Sequence, residues 1–244
     1  MSAEAAAVDA ASRLSSPLDP PVPTSPGERL QWGRLYGSSR ALAIAQAARQ
    51  ANCLVLAVVE DVLGAARLQA ELGFFLADPA IPVIGFPDWE TLPYDVFPPL
   101  PELVSERLLT LHRLPSLDRG VLVVPAGTLL QRLPPRDYVD GHSLVLGKGD
   151  RLDLDAARRR LERAGYQCVS QVIAHGEYAV RGALLDLFPM GSQEPYRIDL
   201  FDEEVESIRT FDPDTQRSRD KVESVRMLPA RELPLDEEAV TAFR

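Results

Sequence analysis

The chain has 244 residues, 45% of them hydrophobic and 25% charged, and a formal net charge of −10. That balance excludes wholesale disorder, and no apolar run approaches the roughly 18 residues of a membrane-spanning helix. Cys53 and Cys168 lie far apart and His112, His142 and His175 are scattered, which excludes a disulfide framework and a spaced zinc motif.

Residues 1–28 are rich in Ala, Ser and Pro and read as a flexible tail, because repeated prolines deny backbone hydrogen bonds and little is available to bury. The opening MSAEAAAVDAAS lacks the basic and apolar regions of a signal peptide. A cytoplasmic location is expected, in keeping with the cysteine usage.

Residues 29–141 alternate strand and helix. Ser38 or Ser39 is positioned to cap a helix through ALAIAQAARQA, and CLVLAVVE (53–60) is a continuous apolar run, the pattern of a parallel strand buried on both faces. Cys53 would lie buried in that strand and be inert. Asp61 opens a further helix, IPVIGF (81–86) reads as a short strand, and ELVSERLLTLHRL (102–114) as an amphipathic helix with Leu103, Leu108, Leu111 and Leu114 inward. Between these, DWETLPYD is assigned to packing, with Trp89 and Tyr94 supplying apolar area and Asp88 or Asp95 capping turns. RGVLVVPA (119–126) is another buried strand, followed by a short helix in GTLLQRL. Such alternation implies a parallel sheet covered by helices.

The texture changes over 142–227. One helix, DLDAARRRLERAG (153–165), is capped by Asp153 or Asp155 and stopped by Gly165. Strands then follow in YQCVSQVI, EYAVRG, ALLDLFP, PYRIDLF, EVESIRTF and VESVRML, punctuated by turns at Arg181-Gly182, Met190-Gly191-Ser192 and Asp212-Pro213-Asp214. A small antiparallel α+β domain is expected. Residues 228–244 end in an incipient helix that returns to the first domain or leads into a further one.

Catalytic patterns are thin. A phosphate loop uses glycines for backbone approach, a Lys for the outer phosphates and a hydroxyl for magnesium. The first strand-to-helix turn instead reads Tyr36, Gly37, Ser38, Ser39, Arg40 and Ala41. Arg40 can meet a phosphate, but Ala41 cannot ligate magnesium. His112 sits on an amphipathic helix, and His175-Gly176-Glu177 has no nucleophile beside it. No catalytic, metal-binding or cofactor-binding residues are assigned.

The period of two in PYRIDLF places Arg197, Asp199 and Phe201 on one face and Tyr196, Ile198 and Leu200 on the core side. An aromatic flanked by Arg on a sheet face has the composition of an interface hot spot. The plain structural alternative has Phe201 covering a sheet edge and Arg197 pairing with Asp199 or Asp186.

The stretch from HGEYAVRGALLDLFPMGS to EPYRIDLFDEEVESIRTFDPDTQR resembles the UvrA-binding domain shared by UvrB and the bacterial transcription-repair coupling factors. Upstream, FPDWETLPYDVFPP, SERLLTLHRL and RGVLVVPAGTLLQRLPP are similar to the coupling factors rather than to UvrB. The resemblance runs from about Gly33 to Arg244. It implies a degenerate P-loop NTPase-like α/β domain (29–141) with a parallel sheet, then a UvrB interaction domain (142–227). UvrB carries an intact phosphate loop where this chain has Gly37 to Ala41, and a DNA-clamping hairpin for which the link after Tyr94-Asp95 leaves no room.

The function so implied is a non-catalytic interaction module recruiting UvrA in nucleotide excision repair, with contacts at Arg181, Arg197 and Phe201. None of the three is placed on the core face, so the fold is expected to survive truncation of each. RNA polymerase and DNA are partners of the family's polymerase-binding domain and motor, which are not expected within these residues. The chain alone should bind DNA weakly, and no membrane association is expected. The alternative function is a nucleotide-dependent enzyme with a variant phosphate loop.

Overall fold

The computed structural model describes residues 16–91, 95–234 and 241, so Tyr94, most of the expected tail and most of 235–244 lie outside the described residues. The chain divides into two compact units, one of residues up to Asp88 with Ser116–Leu130, the other of Trp89–Pro115 with everything from Gln131 onward.

The first unit contains α1 (Ser39–Gln50), β1 (Leu54–Val59), α2 (Val62–Phe75), β2 (Val83–Gly85) and β3 (Gly120–Pro125). The strands form a parallel sheet in the order β1-β3-β2. Ala41, Ala45 and Ala48 of α1 pack with Leu68 and Leu72 of α2 and with Val121 and Val123 of β3. Small side chains there let the helices approach closely. Asp61 caps α2 by accepting from the Gly64 amide at 2.7 Å. Gly120 adopts φ +140, and a Cβ there would lie 2.8 Å from the Pro82 carbonyl oxygen, so this close approach requires glycine.

Several expectations are corrected in this unit. β1 is not buried on both faces: Leu56 and Val58 are exposed, because β1 is an edge strand of a three-stranded sheet. Cys53 precedes the strand and is exposed. No strand leads into Gly37 among the described residues; the chain ahead of α1 runs through turns and irregular backbone. GTLLQRL makes only a 3₁₀ turn at Thr128–Leu130. Within 16–28 the chain is partly tied down, with Pro20 buried and Trp32 Nε1 donating to the Pro21 carbonyl at 3.1 Å.

The second unit contains α3 (Pro101–Arg113), α4 (Arg136–Gly141), β4 (Leu144–Gly147), α5 (Leu154–Arg163), β5 (Gln167–Cys168), β6 (Glu177–Arg181), β7 (Leu184–Leu187), β8 (Tyr196–Phe201), β9 (Glu204–Phe211), β10 (Ser218–Val222) and β11 (Ser224–Met227). A six-stranded sheet runs β10-β9-β8-β7-β6-β5, and β11 pairs antiparallel with β4 in a separate ribbon. Asp153 caps α5 through the amides of Asp155 and Ala156, and Gly165 ends it at φ +93. The inner sheet face supplies Tyr178, Leu185, Leu187, Ile198 and Ile208, which pack with Ala157 and Leu161 of α5.

The sheet is antiparallel except at β5, which pairs parallel with β6 over two residues. The rest of the expected YQCVSQVI strand leaves the ladder. It crosses the outer sheet face, where Val172 is buried with Ala179, Phe188 and Phe211.

The division into units differs from the expected boundary at 141/142, because α3 buries its side chains against the second unit. Its buried residues are Ser105, Arg107, Leu108 and Thr110; of the four leucines expected inward, Leu108 is fully buried and Leu103, Leu111 and Leu114 are half-buried. Leu108 packs with Val139, Met190 and Leu228, and Ser105 Oγ accepts from the Gly191 amide at 2.8 Å. Arg107, fully buried, donates to both carboxylate oxygens of Glu232 at 2.5 and 3.1 Å. Trp89 Nε1 donates to the same carboxylate at 2.9 Å, and the Arg107 guanidinium lies 4.8 Å from the Trp89 ring centroid. The segment after β11 is thus clasped within the second unit, where the Ala230 amide also donates to the Ala164 carbonyl at 2.7 Å. Tyr166 donates to the Leu228 carbonyl at 2.7 Å, and burial pushes its phenol well above the usual range.

Candidate partner-binding site

Strand alternation sets the outer face of the six-stranded sheet. Asp186 on β7 stands opposite Arg197 on β8, which stands opposite Arg209 on β9. One step toward the turn end, Leu184 faces Asp199 and Asp199 faces Ser207. Arg197, Asp199 and Phe201 therefore share the outer face as expected, with Ile198 and Leu200 buried on the other side.

Two arginines directly opposite one another would repel. Here each has its own carboxylate. Arg197 donates from Nε and Nη2 to Asp186 at 2.8 and 2.9 Å, and Arg209 donates from Nη2 to Asp199 at 2.5 Å. Ser207 adds a hydroxyl bond to Asp199 at 2.7 Å. Arg197 also reaches the Gln216 carbonyl and lies 5.0 Å from the Phe211 ring centroid. The bond to Asp186 holds its guanidinium pKa above the ordinary value.

Arg181 ends β6 at the tight turn where Gly182 takes φ +61, and its guanidinium also binds Asp186. The Asp186 side chain is 1% exposed, that of Arg181 49% and that of Arg197 16%. Phe201 is 72% exposed at the last position of β8, before Asp202 turns the chain at φ +55. The β6–β7 turn and the end of β8 lie at the same end of the sheet. At a strand spacing of about 4.8 Å, β6 and β8 are separated by roughly 10 Å, so Arg181 and Phe201 fall within one partner footprint.

The structure thus joins Arg181 and Arg197 through one carboxylate and leaves Phe201 projecting nearby. Arg197 is set more deeply than an outer-face position implies: its side chain is 16% exposed, and its loss would leave the buried Asp186 charge to Arg181 alone. The pairing with Asp186 fulfils the plain alternative for Arg197, whereas Phe201 stays 72% exposed. Arg209 and Phe211 were not anticipated as parts of this face, although their period-two spacing from Ser207 carries the signal.

The other singled-out residues have structural duties. Ser38 sits at the N-cap of α1 but makes no capping bond, and its hydroxyl donates to Glu71 at 3.1 Å. Ser39 donates to the Tyr36 carbonyl at 2.7 Å, Arg40 is exposed, and Ala41 is buried in the helix pair. Glu177 accepts from the amides of Ile173 and Ala174, closing a turn. His112 lies beside Arg226 and Asp140; partial burial, then the Arg226 charge, lowers its pKa. Among the described residues no His, Cys, Asp and Glu group could hold a metal ion, and no helix is long and apolar enough to cross a membrane.

The six-stranded, largely antiparallel sheet thus carries on its outer face two arginine–carboxylate clusters and, at the end of β8, the exposed Phe201. Residues 144–233 match the UvrB interaction domain family. Over 223 residues the chain is 47% identical to the transcription-repair-coupling factor of Escherichia coli (strain K12), covering 91% of this chain and 19% of that protein. It is 47% identical over 227 residues to the corresponding factor of Haemophilus influenzae, covering 93% and 20%. Identity to that of Bacillus subtilis (strain 168) is 31% over 199 residues, covering 82% and 17%. Over nearly its whole length the chain is thus similar to transcription-repair-coupling factors, with the UvrB interaction domain match confined to residues 144–233. It spans about a fifth of the length of these curated relatives.

Proposed function

We propose that this chain is a non-catalytic interaction module that recruits UvrA, serving transcription-coupled nucleotide excision repair. The observation that carries the reading is Phe201, exposed beside a fixed array of arginines on the outer face of the UvrB interaction domain. Arg181, Arg197 and Phe201 form the contact in this reading. An exposed aromatic between arginines supplies the desolvated apolar contact and the charge selectivity typical of binding hot spots. Contacts with RNA polymerase and DNA belong, in this reading, to regions of the longer relatives outside the matched fifth. Duplex DNA binding by this chain alone is weak, since its net charge of −10 opposes phosphate neutralisation. Titration of the chain with purified UvrA, without nucleotide or DNA, tests the proposal. Saturable binding is expected, and an absolute requirement for ATP or DNA as a ligand of this module contradicts it.

The first unit, in the same reading, is a degenerate relative of the P-loop NTPase fold that holds no cofactor. Ala41 offers no hydroxyl and is buried, and the hydroxyls of Ser38 and Ser39 are committed to Glu71 and Tyr36. Calorimetric titration with ATP and magnesium is expected to give no saturable heat. Micromolar binding that disappears in Arg40→Ala would instead establish the nucleotide-dependent alternative.

A further inference from the structure

The outer face carries more order than a pair of surface arginines needs. Asp186 lies in an otherwise apolar strand, LLDL, and is buried. Its Oδ1 accepts from Arg197 Nε, and its Oδ2 accepts from Arg197 Nη2 and from Arg181 Nη2. One carboxylate therefore serves two guanidiniums from the strands on either side of it.

The two arginines differ in what remains available. Arg197 uses Nε and Nη2 on Asp186, and Nη1 on the Gln216 carbonyl and Ser218 hydroxyl at 3.2 and 3.3 Å. Its flat face is taken by Phe211. Of its five N–H donors, few are left for a partner. Arg181 has one bond, to Asp186, and is half exposed. Its remaining donors can receive a carboxylate in the two-bond geometry that a guanidinium favours. The charges are uneven as well. Arg209 is balanced by Asp199, whereas Asp186 supplies one negative charge to two positive groups.

We propose that Asp186 is a positioning residue of this surface: it locks Arg197 as a support and orients Arg181 to receive an acidic side chain of the partner beside Phe201. This deepens, and rests on, the reading that the face binds UvrA. In it Arg181 and Phe201 make most of the contact, and Arg197, at its edge, acts mainly by holding Asp186. The complementary patch on the partner carries a carboxylate about one strand pair, roughly 10 Å, from the pocket that takes Phe201.

A double-mutant cycle on the whole chain tests this, using UvrA affinity per folded molecule at low and at physiological salt. Asp186→Asn keeps the side-chain shape and removes the charge. It is expected to weaken binding at least about tenfold, as loss of an oriented charge-assisted contact does. In an Arg181→Ala background the same substitution should weaken it less than about threefold further, because its effect runs through Arg181. Asp186→Asn should flatten the salt dependence as Arg181→Ala does, which a purely structural role of Asp186 would not predict. Should Asp186→Asn fail to fold, Asp186→Glu carries the same cycle with the charge retained and displaced by one methylene. Independent, fully additive losses at Asp186 and Arg181, or wild-type affinity in the Asp186 variant, overturn the positioning role. Absence of binding by the wild-type chain is a different result and overturns the UvrA reading itself.

Discussion

Replacing Glu232 with alanine is expected to destabilise the second unit by about 3–5 kcal/mol, the usual cost of breaking a buried ion pair on one side. The Arg107 side chain is fully buried, and its charge is met by the two oxygens of Glu232. Without that carboxylate the guanidinium loses its two charge-assisted bonds, and the Trp89 ring 4.8 Å away is a weaker partner than an anion. Trp89 Nε1 loses its acceptor in the same step. Urea unfolding followed through Trp89 fluorescence, in a Trp32→Phe background, reads the change directly. At a slope of about 2 kcal/mol/M the midpoint should fall by roughly 2 M. Arg107→Met combined with Glu232→Leu removes both charges and should recover most of the loss. About 1 kcal/mol is expected to remain, because the Trp89 donor still lacks a partner. A Glu232→Ala variant within about 0.5 kcal/mol of wild type would show that groups other than Glu232 satisfy Arg107.

That cluster also marks the limit of what the sequence discloses. A continuous apolar run announced Leu54–Val59, but the coverage of its second face depends on its place in the sheet, and at an edge Leu56 and Val58 stay exposed. The helix Pro101–Arg113 was legible as a helix from its spacing. Its allegiance was not, because the charge that decides it pairs Arg107 with a residue 125 positions away. Ser218–Val222 went unread for another reason: its side chains are mostly exposed, so no alternation marks it, and it joins the sheet through its backbone beside β9. By contrast, the strand Tyr196–Phe201 was legible to within one residue, from PYRIDLF. Its core face is apolar and its outer face is charged, so a period of two locates Arg197 and Phe201 on the same side. What the period could not show was which acid each arginine meets, since Asp186 and Asp199 are both on that side.

Truncating Phe201 to alanine is expected to weaken UvrA binding by about 1–4 kcal/mol, the range of interface hot spots, while changing stability by no more than about 0.5 kcal/mol. The split follows from its surroundings. Its ring is 72% exposed at the end of β8, so little burial is lost from the folded chain. Ile198 and Leu200, which hold the strand in the sheet, point the other way. The partner would bury the ring, and the ordered arginines beside it would keep water from competing for the same contact. Arg197→Ala should give the contrasting signature. Its side chain is mostly buried on Asp186 and Phe211, so its removal lowers the melting temperature as well as the affinity. Measuring melting temperature and UvrA affinity on Phe201→Ala, Arg181→Ala and Arg197→Ala separates a binding surface from a merely well-packed one. A surface site requires lost affinity at Phe201 and Arg181 with melting temperatures near wild type. If Phe201→Ala melts early yet binds UvrA as tightly per folded molecule as the unaltered chain, the aromatic belongs to the fold and the binding face lies elsewhere.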